Sequence, residues 1–334
     1  MSAAGVEEAW ISLLKVHGAV RLCAEPIRRC FFRLDTEPSG RTVSLDKPFG
    51  SGPRAGPTIA VLLDPSLPVP PAGQADAVLL LDGVIRLRTI RRGGLSAPVR
   101  HLLKTYLPYA FGSLHARRLG RAFTVCHFAQ TLDGRIATLA GDSRRIGGPA
   151  NLVHAHRMRA LSDGVLIGSR TLRRDRPRLN VRYVEGAQPA RLVLGSSPEG
   201  LAALTGTPGG DVYLVGGNGH GVPPGVGLVA LARTGRFLPT TEVLRELFKR
   251  GIFSVYVEGG AVTTSRFLNE GNVDVLQVQV TPMILGSGLS AFRLPPVPDV
   301  GSSLRLADPA FTPVDDGMMI VGTLGRDGLA AGRA

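Results

Sequence analysis

From residue 121 to residue 281 the chain repeats one pattern: a short apolar run, a glycine-marked turn, an amphipathic stretch, then another apolar run. The runs at 123–131, 164–168, 191–194, 211–215, 254–257 and 273–281 read as strands. Between them, 149–161, 240–250 and 261–269 read as helices, and a turn or short helix begins near Thr171. Pro149 suits a first helical turn, because its missing N–H has no helical partner there in any case. Thr240 or Thr241 suits an N-cap, and Gly251 a stop. Strands that alternate with helices must cross over to pair in parallel, so this stretch predicts an α/β domain with a mostly parallel central sheet flanked by helices. No internal repeat is visible.

The first 120 residues read differently. Residues 9–17 form a short amphipathic helix, and Pro and Gly punctuate 36–71, with one strand inside 57–65. Residues 77–90 read as two strands around Asp82-Gly83, a hairpin whose two central positions both need positive φ. An arginine-containing connector with one short helix fills 91–121. The expected organisation is a smaller α+β region over 1–120 and the α/β domain over 121–330. A chain of 334 residues, 44% hydrophobic and 19% charged, has room for both and the balance of a globular protein.

Composition narrows the function classes. No run of about 18 apolar residues exists to span a membrane. The amino end lacks the basic flank and apolar run of a secretory leader, so a cytoplasmic setting is expected. Cys23, Cys30 and Cys126 show neither a disulfide framework nor metal-ligand spacing, and no metal site is expected. The net charge of +13 invites a nucleic-acid partner. The basic residues are dispersed, however, aromatics are 5% of the chain, and no nucleic-acid-binding motif appears. An arginine-rich proteome and a site for several phosphate groups both remain open as sources of the charge.

Val257-Glu258-Gly259-Gly260 ends a strand and opens a helix. Glycines there let a backbone approach an anion closely, beside the free N–H groups of a helix start. This suits a dinucleotide diphosphate, and equally an ordinary structural turn; it is not the G-x-G-x-x-G fingerprint. Gly216-Gly217-Asn218-Gly219 is a looser candidate. Gln130-Thr131-Leu132-Asp133-Gly134-Arg135-Ile136-Ala137 runs from a strand into an Asp-Gly turn. Gly168-Ser169-Arg170-Thr171-Leu172 leads into the arginine-rich stretch 173–182. Singly, these are turns and a loop.

Taken in order, they resemble the reductase domain of the bifunctional riboflavin-biosynthesis deaminase-reductase, a dihydrofolate-reductase-like fold. T-L-D-G-R-I-A from Thr131, G-D-S-R-R-I-G from Gly141, M-R-A from Met158 and G-S-R-T from Gly168 follow that family's sequence of motifs. R-D-R-P-R-L-N-V-R from Arg174, V-E-G-G from Val257 and T-P-M-I-L-G from Thr281 complete it over about residues 121–295. The resemblance implies hydride transfer from NADPH to the ribose carbon of a phosphoribosylamino-pyrimidine. The first choice of substrate is 5-amino-6-(5-phosphoribosylamino)uracil. It implies that Ser143, Arg159, Leu179, Arg182 and Glu258 face the substrate, with Arg159 and Arg182 as a phosphate clamp. Glu258 would accept hydrogen bonds from the aminopyrimidine.

Ala129, Arg145, Thr171, Asp175, Ser196 and the turn Gly259, Gly260, Ala261, Val262, Thr263, Thr264 and Ser265 would contact the cofactor. Glu258, His127 and Asp175 are the candidate catalytic residues, and a homodimer is implied. Three positions depart from the family: Arg145 replaces a Trp, Arg176 an Asp, and His127 a Lys. These changes leave room for another pyrimidine or pteridine substrate, or for a non-catalytic nucleotide-binding regulator. The family's amino-terminal zinc deaminase needs H-x-E and P-C-x-x-C. His17, His101 and His115 have no Glu two positions on, and Cys23 and Cys30 are too far apart. Residues 1–120 are therefore expected to be a divergent docking or dimerising module.

Overall fold

The computed structural model describes residues 3–34, 43–49, 56–217, 219–231 and 237–324. The chain divides into two compact units, Met1–Arg118 and Leu119–Ala334. Asn218, and the stretch 325–330 at the end of the expected α/β domain, lie outside the described residues.

The first unit opens with α1 (Ala3–Leu22), longer than the predicted helix. Trp10, Leu13, Val16 and Val20, three or four residues apart, are wholly buried along one face. That burial carries Gly18 inside the helix, where glycine costs about 1 kcal/mol relative to alanine. The strands are β1 (Arg29–Arg33), β2 (Val43–Leu45), β3 (Thr58–Leu62), β4 (Ala77–Asp82) and β5 (Arg86–Arg91). They form one sheet in the order β2-β1-β3-β4-β5, with β3 and β4 parallel and the other pairs antiparallel. The β4–β5 connection differs from the expected two-residue turn. Asp82 still pairs with Arg86, so the loop is 83–85, and only Gly83 has positive φ. The connector 91–121 is more helical than its arginines suggested. It holds α2 (Ala97–Tyr106), a 3-10 turn at Leu107–Phe111 and α3 (Gly112–Leu119). Ser96 caps α2 by accepting from Val99 N, and Val99, Leu102, Leu103 and Tyr106 form its buried face.

The second unit begins with β6 (Phe123–Thr131), β7 (Arg135–Thr138), α4 (Pro149–Ala160), β8 (Gly164–Gly168) and α5 (Ser169–Asp175). It continues through β9 (Ala190–Leu194), α6 (Leu201–Thr205), β10 (Val212–Val215), β11 (Val226–Val229) and α7 (Thr240–Lys249). The remainder is β12 (Ser254–Val257), α8 (Ala261–Asn269), β13 (Val275–Thr281), β14 (Gly288–Ser290), β15 (Leu306–Val314) and β16 (Gly317–Leu324). Nine strands make the main sheet, ordered β11-β10-β9-β8-β12-β6-β13-β16-β15. Pairing is parallel from β11 to β13, as the alternation predicted, and turns antiparallel at β16 and β15. A separate antiparallel ribbon joins β7 to β14. Leu166, Leu192, Val255, Val257, Phe267 and Leu268 belong to the buried core between sheet and helices.

Two local readings change. α7 starts after Pro239, and neither threonine caps it. Thr240 instead donates its N–H and hydroxyl to Glu270 Oε2, at 2.6 and 2.9 Å. The β15–β16 hairpin was not foreseen, because β15 carries Pro309 and Pro313 and exposes most of its side chains. An edge strand tolerates both. Among the described residues no helix is long and apolar enough to cross a membrane, and no group of three His, Cys, Asp or Glu is placed to hold a metal ion.

Candidate active site

The carboxyl ends of the neighbouring parallel strands β8 and β12 lie where ligands bind in open parallel sheets. β12 runs through Glu258, Gly259 and Gly260 into α8, and β8 runs through Gly168 into α5. Both glycine requirements are steric. A Cβ on Gly168 would lie 2.6 Å from Thr263 Oγ1, and one on Gly259 would lie 2.8 Å from Thr263 Cβ. Without those carbons the start of α8 settles against the two strand ends, and Gly260, Ala261, Val262 and Thr263 line a groove.

The groove has a volume of about 630 Å³, within the range of cofactor sites. Thr171, Asp175, Ser196, Gly260, Ala261, Val262 and Thr263 line it, together with Ser143. Four cations, Arg170, Arg174, Arg266 and Arg293, line it as well. The Arg174 guanidinium lies over Gly141, in the space a side chain would need, and Gly141 itself has φ of 93°. Arg266 donates to Leu238 O and sits 4.5 Å from the Phe237 ring centroid. Burial raises the Asp175 carboxyl above its ordinary range, against the opposing pull of Arg174.

Three residues of the expected cofactor turn lie behind this surface. Gly259 packs on Thr263 and Thr264, and Ser265 Oγ accepts from Arg293 N at 2.7 Å. Ala129 pairs with Gln279 between β6 and β13, and Arg145 is exposed with φ of 68°; neither lines the groove.

Glu258 also anchors a second cluster. Arg159, on α4, donates Nε to Glu258 Oε1 at 2.6 Å and Nη2 to Oε2 at 2.7 Å. Its Nη1 donates to Asn180 O at 2.9 Å, so all three guanidinium nitrogens are engaged. Burial opposes the Arg159 charge, and the Glu258 carboxylate outweighs it and holds the guanidinium protonated. Arg159 is thus committed to Glu258 and to the backbone, where the motif alone suggested a phosphate contact. Arg182 stays exposed, donating Nη1 to Asn180 Oδ1 with its guanidinium 4.8 Å from the Tyr183 ring centroid. Leu179 is buried with φ of 56°, a left-handed conformation that shapes the loop.

His127 lies inside the sheet layer. Its ring stacks on Tyr256 at 5.9 Å and tilts against His154 at 5.2 Å. Burial, and next the nearby His154, lower its pKa well below the ordinary imidazole value, so it is neutral near pH 7. It does not line the groove.

Sequence reasoning passed over three residues that build this site. Asp315, in the β15–β16 turn, accepts from Ala150 N and Asn151 N at 2.9 and 3.1 Å and so caps α4 from another part of the chain. Nothing near Pro149 announces it. His156 and Asn180 hold the loop that carries Arg182. The spacing of His156 and Arg159 on one helix was a visible sign of a shared face.

Residues 122–320, more than half the chain, match the family model of the RibD C-terminal domain. The riboflavin biosynthesis protein RibD of Corynebacterium ammoniagenes is 28% identical over 298 residues, covering 84% of this chain and 76% of that protein. RibD of Bacillus amyloliquefaciens is 32% identical over 186 residues, 53% of this chain and 50% of that protein, so the match there spans half the relative's length. In fold, Acinetobacter baumannii RibD superposes with a TM-score of 0.62 at 19% identity, covering 96% of this chain and all of that one. With a glycine-cleared groove at the strand ends, and a family model that spans the residues building it, the chain belongs to the RibD C-terminal domain family, the reductase domain that its ordered motifs resemble.

Proposed function

We propose that this protein is an NADPH-dependent reductase of the riboflavin pathway, converting the ribose of 5-amino-6-(5-phosphoribosylamino)uracil to a ribityl chain. The observation that carries this reading is adjacency. Glu258 closes the polar cluster, and Gly260, two residues on, lines the cation-bearing groove. A heterocycle held at one and a dinucleotide laid in the other would meet at the end of β12.

The groove fits a phosphorylated dinucleotide in volume, in close backbone approach and in charge. When bound, NADPH supplies the hydride. The N–H groups at the start of α8 and the arginines of the groove hold its phosphates. Glu258, oriented by Arg159, accepts hydrogen bonds from the aminopyrimidine with its remaining lone pairs. With Arg159 engaged, the substrate phosphate falls to Arg182. Sugar opening needs one proton at the ring oxygen. We assign that proton to Asp175, the candidate acid that lines the groove. Buried, neutral His127 supports the sheet beneath the site. The same reading carries a cytoplasmic homodimer, checked by light scattering of the purified protein.

The test is to mix protein, NADPH and this substrate, follow loss of the reduced-nicotinamide absorbance, and look by mass spectrometry for a product that has gained two hydrogen atoms. Binding of NADPH without oxidation, across pyrimidine and pteridine candidates, would favour a regulatory protein. Turnover of a different heterocycle would favour a retuned reductase. The exposed, positive-φ arginines Arg145 and Arg176, standing where the family has an aromatic and an acid, motivate that second reading.

A further inference from the structure

The segment that carries Leu179 and Arg182 cannot hold its own shape. It has no regular secondary structure, and Arg176 and Leu179 both sit in the left-handed region. Side chains tie it down one peptide at a time. Arg159 Nη1 donates to Asn180 O, Gln188 both accepts from Val181 N and donates to Val181 O at 2.8 Å, and His156 Nδ1 accepts from Arg182 N at 3.1 Å. His156 is wholly buried, with its ring edge-on to Tyr183 at 4.6 Å. Accepting at Nδ1 puts its proton on Nε2, which faces Arg159 Nη1 at 3.5 Å, donor toward donor. Such a ring is held neutral: burial, then Arg159 and Arg182, push its pKa down to about 4.

His156 and Arg159 are three residues apart on α4 and share a face. One side chain orients Glu258 and the other fixes Arg182. We propose that this single turn of α4 is a spacer that sets the distance between the heterocycle end and the phosphate end of the substrate site, with His156 the positioning residue for Arg182. The proposal rests on the functional reading above and deepens it: the site selects phosphorylated ribosylamino heterocycles by the separation of their two ends.

The experiment compares His156→Leu, His156→Asn and Arg182→Ala in the full chain. Asn can present its side-chain oxygen where Nδ1 stands, whereas Leu cannot. Amide hydrogen exchange at Arg182 is expected to speed up about tenfold or more in His156→Leu, the loss of one buried hydrogen bond, and to stay near the parent in His156→Asn. KM for the phosphorylated substrate is expected to rise about tenfold in His156→Leu with kcat within about threefold, and the Asn variant to recover most of it. The dephosphorylated compound should show no such change.

If His156→Leu leaves Arg182 exchange and the preference for the phosphorylated compound unchanged while Arg182→Ala abolishes that preference, the spacer is refuted and the reductase reading stands. Failure of the Asn variant to restore either property also overturns it, whether or not the Leu variant folds. If Arg182→Ala itself has no effect on the preference, the assignment of Arg182 to the phosphate is what fails, and the exchange data judge the pin separately.

Discussion

Arg159 keeps its charge in surroundings that would otherwise favour its loss, and it does so through one carboxylate. The pair is bidentate and largely screened from water, with side chains 9% and 18% exposed. Glu258→Gln leaves that guanidinium without a counter-charge while sparing one acceptor. We expect a loss of about 2–3 kcal/mol in urea denaturation, below the full cost of breaking a buried pair, because the amide still accepts one hydrogen bond. Turnover should fall at least about tenfold with NADPH affinity within about twofold. Stability within error of the parent would show the pair to be looser than its geometry. The histidines give a second expectation. The folded pKa of His154 and of His156 is about 4, against 6.5 when unfolded, both lowered first by burial. Between those values the unfolded chain binds protons that the native one does not. Stability from these groups is therefore complete above pH 6.5 and is lost as pH falls toward 4. Denaturation across that window should show the decline, and His154→Gln should flatten it; equal slopes in parent and variant would contradict the assignment.

At the scale of elements, α8 and β8 meet through Gly168, and the groove depends on that contact. Gly168→Ala places a carbon 2.6 Å from Thr263 Oγ1, so the Thr263 side chain or the start of α8 must shift. Overpacking of this kind costs about 1–3 kcal/mol, and the NADPH Kd should rise about tenfold. A fluorescence titration indistinguishable from the parent would remove this corner from the cofactor site. The same elements show what a sequence discloses. β6, β8, β12, α4 and α8 were read within a residue or two, because their apolar runs and turn residues act locally. Only one short helix was read where α2 and α3 stand, because their buried residues are interleaved with Arg, Lys and His, and β15 was missed because an edge strand needs no continuous apolar face. The motif order pointed to the groove and to Glu258, but it did not show which atoms meet. Arg159 looked like an anion ligand because its partners, Glu258 and the Asn180 carbonyl, are set by the path of the backbone and not by neighbours in the chain.

For the molecule as a whole, every residue of the groove and of the Arg159–Glu258 cluster belongs to the second compact unit. Residues 119–334 produced alone are expected to bind NADPH with a Kd within about threefold of the full chain. Loss of binding in a fragment whose circular dichroism still shows folded α/β structure would mean that the first unit serves the site. Residues 1–118 are then free for the docking or dimerising part we assign them, which comparison of the two species by light scattering would reveal. The cap that Asp315 supplies to α4 has a consequence during synthesis. Asp315 follows Ala150 by 165 residues. At about 5–20 residues per second the ribosome needs roughly 8–33 s to add them. Through that interval the nascent helix bearing Arg159 has an open amino end, and its cap arrives only when the β15–β16 hairpin leaves the exit tunnel.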